Sequence, residues 1–169
     1  MDNNLKDRLA ELKEVSKFEV AKKQLLEEFR TLYGVELGDK DQVSNDKSVK
    51  IHDLAYKKLD SSVVTSVKFR YTLKEEVQKW FDSVFSEFIE LFDRKVILYP
   101  ATFRSKVLRT NREFYNFPIS FYRTFEECKE VLDVVIHHSY IDVLIVTEDL
   151  TKGILIYEDE YEYVFIQHW

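Results

Sequence analysis

The chain has 169 residues, a formal net charge of −6, one cysteine and three glycines, with 15% aromatic and 33% charged side chains. A chain of this length can bury one core without staples, and a lone Cys128 forms no internal disulfide, which points to a reducing compartment and so to the cytoplasm. Gly34, Gly38 and Gly153 cannot supply the glycine pattern of a Rossmann or P-loop phosphate site, and the acidity weighs against general nucleic-acid binding.

Residues 1–8 lack the apolar core of a signal peptide, and no apolar run is long enough to span a bilayer, so no membrane association is expected. Residues 2–33 predict a long helix stopped at Gly34, with Leu5, Leu9, Leu12 and Val15 on one stripe and Phe18, Ala21, Leu25, Phe29 and Leu32 on another. The spacing in threes from Leu12 through Val15 to Phe18 rotates the stripe and does not sustain a heptad seam. The second half is expected to pack on the domain and the first to project as a self-association device, with a plain core helix as the competing reading. Residues 34–48 have loop composition, and 49–169 form the α+β core of what reads as a single domain.

After Ser48, the spacing of Ile51, Leu54, Ala55 and Leu59 predicts a short helix. Val63, Thr65, Val67, Phe69 and Tyr71 then alternate with Val64, Ser66, Lys68 and Arg70, the period of a strand. Thr72 and Glu75 have the spacing of a capping box, opening a helix that carries Val77, Trp80, Phe81, Val84, Phe88, Leu91 and Phe92 on its core face. Residues 96–99 read as a buried strand halted by Pro100, and 101–123 as a short helix followed by a strand near 119–122. Thr124 and Glu127 repeat the capping box and open a helix carrying Cys128, Val131, Leu132 and Val135. Short strands at 141–146, 154–157 and 163–166, joined by polar turns, make an antiparallel meander. The fold class is α+β: a long N-terminal helix, two further core helices and a mainly antiparallel sheet ending in the meander.

No pattern of catalytic residues emerges. His137 and His138 are adjacent and diverge on a helix, so they cannot chelate one metal without outside ligands such as His52, His168 or Asp142, and no ligand spacing predicts that. Cys128 lies on an apolar stripe behind Glu126 and Glu127, the place of a small buried hydrophobe. No serine sits in a nucleophile elbow. No metal or cofactor is expected.

Two surfaces stand out instead. Tyr157, Glu158, Asp159, Glu160, Tyr161, Glu162 and Trp169 interleave acids with aromatics, and Tyr163 and Phe165 extend the pattern. Such a face steers and holds a basic protein partner, with Tyr157, Tyr161 and Trp169 as free anchors; ordinary strand-edge charges over core aromatics are the competing reading. Arg104, Lys106, Arg109 and Arg112, among aromatics, would suit single-stranded nucleic acid, or would dock internally on the acidic meander.

The run 146–157, a hydrophobic strand, an acidic turn and a second strand, together with the aromatic helix and buried strand of 88–99, resembles small acidic immunity proteins of bacterial polymorphic-toxin systems. The resemblance covers about half the chain and implies a protein that binds a cognate toxin and blocks its active surface. The expected function is therefore a non-enzymatic protein-binding module of this kind. The alternatives are a nucleic-acid-associated protein using the segment 104–112, or an enzyme whose site forms only in three dimensions.

Overall fold

The rotating stripe of the first helix sets the architecture. In the computed structural model, which describes residues 3–61, 64–70, 74–88, 90, 94–102, 113–138, 142–158 and 163–169, α1 spans Asn3–Tyr33. Phe18, Ala21, Leu25 and Phe29 are buried as their spacing predicts, but Leu32 is 58% exposed. The helix ends at Gly34, which takes φ +70 as a left-handed C-terminal glycine, and the Val35 amide donates to the Phe29 carbonyl at 3.1 Å. That turn folds Tyr33 and Val35 onto the core in place of Leu32.

The second helix, α2 (Asn45–Leu59), starts inside the stretch whose composition reads as loop. Ser44 at the N-cap position and Asp46 in the first turn suit a helix start. Its buried stripe is Ser48, Ile51, Ala55 and Leu59; Leu54, off that stripe, is 41% exposed. Strand β1 (Thr65–Arg70) follows, then α3 (Lys74–Glu87), which buries Phe81, Val84 and Phe85 and hands on to a buried Phe88. Thr72 of the first capping box, and Leu91 and Phe92, lie outside the described residues.

Strand β2 (Lys95–Thr102) does not stop at Pro100 but runs through it. Its register against the neighbouring strand shifts between Tyr99 and Thr102, and a bulge is where a residue without an N–H is tolerated. A short 3-10 turn at Glu113–Asn116 precedes β3 (Phe121–Thr124) and α4 (Phe125–His138). The second capping box forms: the Thr124 amide donates to Glu127 Oε2 at 2.7 Å and the Glu127 amide donates to Thr124 Oγ1 at 3.2 Å. The meander is β4 (Asp142–Val146), β5 (Gly153–Glu158) and β6 (Tyr163–His168).

All pairings are antiparallel, in the order β1-β6-β5-β4-β2-β3, so the last strand of the chain sits between the first strand and β5. Alternation along the strands divides the core. On one face Val96, Leu98, Val143, Ile145, Ile154, Ile156 and Ile166 meet α1, α3 and α4. On the other, Ile97, Tyr99, Leu144, Val146 and Leu155 meet α2. Among the described residues no helix is long and apolar enough to cross a membrane.

Candidate protein-binding face

One helix cannot cover a six-stranded sheet. The buried stripe of α2 lies over β2, β4 and the start of β5, with Tyr157 at the edge of that cluster, and among the described residues the same face of β6 and β1 carries no buried residue. There Tyr163, Phe165 and Gln167 of β6 are half-buried and Ser66 and Lys68 of β1 are exposed, while Val164 and Ile166, pointing the other way, are buried.

Register brings the side chains of this part of the face together. Tyr157 pairs with Phe165 across β5 and β6, and Phe165 pairs with Lys68 across β6 and β1. The Tyr157 and Phe165 rings stack at 5.0 Å with an interplanar angle of 7°. The Lys68 ammonium lies 3.7 Å from the centre of the Tyr163 ring and 4.9 Å from that of Phe165. Lys68 over the half-buried Tyr163 and Phe165 rings, with Tyr157 stacked on Phe165, forms an amphipathic patch held by the sheet, the kind of anchor that protein interfaces desolvate.

Trp169 is placed differently from the free anchor its position suggests. Its indole N–H donates to the Leu150 carbonyl at 3.1 Å, and Lys58 sits 5.8 Å from its ring. The ring fills the space over Gly153, where an added Cβ would lie 2.2 Å from it. It is a plug on the β4–β5 turn, packed against the α2 side of the core. The acids of that turn are likewise engaged. Asp149 accepts from the Thr151 amide at 3.0 Å and hydroxyl at 2.7 Å, and hydrogen bonds from Thr147 and Thr151 hold its carboxyl down at about 2; Glu148 pairs with Lys47.

Of the other residues expected to contribute, Glu158 ends β5, while Asp159, Glu160, Tyr161 and Glu162 lie outside the described residues, as do Arg104, Lys106, Arg109 and Arg112. Phe165 and Lys68 complete the patch. Phe165 extends the acid-aromatic pattern that begins at Tyr157, whereas the signal for Lys68 in the sequence is only the alternation of a strand far away in the chain.

The remaining polar chemistry is packed into the core. His52 lies 4.5 Å from the Tyr56 ring and 5.4 Å from that of Tyr99, and burial lowers its pKa against the opposing pull of Asp53. His168 lies against Trp80 and Phe88, and burial lowers its pKa too, opposed by Glu87. The Tyr99 hydroxyl donates to the Ser48 carbonyl at 2.7 Å, and burial raises its pKa to about 12. Cys128 is fully buried and burial pushes its thiol up, away from the reactive thiolate. Among the described residues no group of His, Cys, Asp and Glu is placed to hold a metal ion. An open groove of about 610 Å³ runs between α1 and the chain at Glu36, with the Glu27–Arg30 ion pair on its rim.

The two histidines give a pH dependence with a defined sign. A lowered folded pKa means that the unfolded state binds more protons below 6.5, so stability is full above that value and falls as pH drops through the lowered folded values. Urea unfolding midpoints across this window are expected to decline with acidification, and His52→Gln is expected to flatten part of the decline.

No protein family, no curated protein and no solved structure matches this chain.

Proposed function

We propose that this chain is a non-enzymatic protein-binding module that engages a basic protein through the aromatic face of β5, β6 and β1, acting as an immunity protein that covers the active surface of a toxin. The observation that carries the reading is the patch in which Lys68 lies over Tyr163 and Phe165 and Tyr157 stacks on Phe165, on the part of the sheet beyond the buried stripe of α2. Aromatic rings fixed on a rigid sheet lose little conformational freedom on binding, which makes them efficient anchors.

Charge supports the choice of a basic partner. Asp159, Glu160 and Glu162 belong to the segment joining the ends of β5 and β6, next in sequence to Tyr157 and Tyr163. Acids beside an aromatic patch accelerate encounter with a cationic surface and repel an acidic one. Blocking a toxin needs only occlusion, so the chain has no need of a reactive group of its own.

The test uses the product of the neighbouring gene as partner. Reversing Glu158, Asp159, Glu160 and Glu162 to lysine is expected to slow association by roughly tenfold or more and to remove most of its salt dependence. Surface-plasmon kinetics at two salt concentrations reads both effects. Association that is unchanged by the reversal removes the acidic segment from the interface.

A further inference from the structure

Every side chain from residue 5 to residue 17 of α1 is exposed, and Phe18 is the first that the body of the protein buries. Within this arm Leu5, Leu9 and Leu12 are 50%, 47% and 65% exposed. Spacings of four and three place them in one narrow stripe. At about 100° per residue that stripe lies on the side of the helix opposite to Phe18, Ala21, Leu25 and Phe29. The leucines therefore point away from the core that anchors the helix. Because the arm continues an anchored helix, a partner meets it already ordered.

Charge selects the occupant. With Leu5 and Leu12 as d positions and Leu9 as a, the flanking e and g positions hold Lys6, Arg8, Lys13 and Val15, and the acids Asp7, Glu11 and Glu14 lie farther round. A second copy fits badly. Parallel pairing sets Arg8 of one helix against Lys13 of the other, and antiparallel pairing sets the Lys6 and Lys13 rim against itself. Three leucines without an aromatic ring are also too narrow a face to lie in a lipid interface.

We propose that the projecting half of α1 docks an amphipathic helix of another protein, one whose apolar seam is flanked by glutamate or aspartate. This surface is separate from the aromatic sheet face and does not depend on that reading.

The probe is a synthetic three-heptad peptide with leucine at a and d and glutamate at e and g, compared with its lysine counterpart, each titrated with the full chain by fluorescence anisotropy. The glutamate peptide is expected to bind roughly tenfold or more tightly than the lysine peptide. Leu9→Ser with Leu12→Ser is expected to abolish that binding while the thermal midpoint stays in place, since neither leucine is in the core. Lys6→Glu, Arg8→Glu and Lys13→Glu together are expected to reverse the preference. The proposal is overturned if neither peptide binds, if both bind alike, or if binding survives the leucine substitutions. Sedimentation that shows self-association through these leucines, or vesicles of phosphatidylserine and phosphatidylcholine that displace the peptide, would also overturn it.

Discussion

Phe125→Ala is expected to destabilise the protein by about 3–5 kcal/mol, the cost of emptying a fully buried phenylalanine site. Phe125 opens α4 directly behind the Thr124 capping box and is 0% exposed. Its ring lies 4.6 Å from Phe85 and 6.0 Å from Phe88, so it ties α4 and the β3 edge to α3 across the core. Against a total stability of about 5–15 kcal/mol, this loss brings the chain close to unfolding at ambient temperature. Urea denaturation is expected to show the drop in midpoint with an unchanged slope, and Phe125→Leu is expected to recover more than half of it. A cost below about 1 kcal/mol would mean that α3 and α4 do not meet through this ring.

Gly153→Ala is expected to cost about 2–3 kcal/mol, the upper part of the range for adding a methyl group where none fits. The new Cβ would stand 2.2 Å from the Trp169 ring, which would have to leave its place and with it the hydrogen bond to Leu150. A double-mutant cycle separates this from a general turn defect. Once Trp169→Ala has removed the ring, adding Ala at 153 is expected to cost little, so the two losses are far from additive. Simple additivity would show that Gly153 and Trp169 act independently.

Local chemistry made much of this fold legible. The Thr124 and Glu127 spacing predicts a helix start that forms with both of its reciprocal hydrogen bonds, and the periodicity of Phe18 to Phe29 predicts the buried stripe of α1. The meander and its order follow from short strands and polar turns. What sequence reading misses depends on tertiary context. Pro100 is a strand breaker by local rule, yet a bulge against β4 absorbs it. Leu32 belongs to the α1 stripe by spacing, but the turn at Gly34 substitutes Tyr33 and Val35.

The candidate face shows the same divide. Tyr157 and Phe165 stand out by their place in the acid-aromatic run and are stacked by the pairing of β5 with β6, whereas the cation Lys68 joins them only through the pairing of β6 with β1. Residues 65–70 and 163–168 are nearly the whole core apart in sequence, and only non-local registration makes them neighbours. Trp169 errs in the opposite direction: a terminal aromatic reads as a free anchor, and only the missing side chain of Gly153 reveals where it is housed.

The aromatic face of β5, β6 and β1 as a protein-binding face is the central claim, and its most direct test is titration calorimetry of the Tyr157→Ala, Phe165→Ala double variant against the neighbouring gene's product. Circular dichroism first establishes that the variant keeps its secondary structure and cooperative unfolding. Removing two stacked interface aromatics is then expected to weaken Kd by roughly a hundredfold or more. Wild-type affinity in the folded double variant would contradict the assignment of this face.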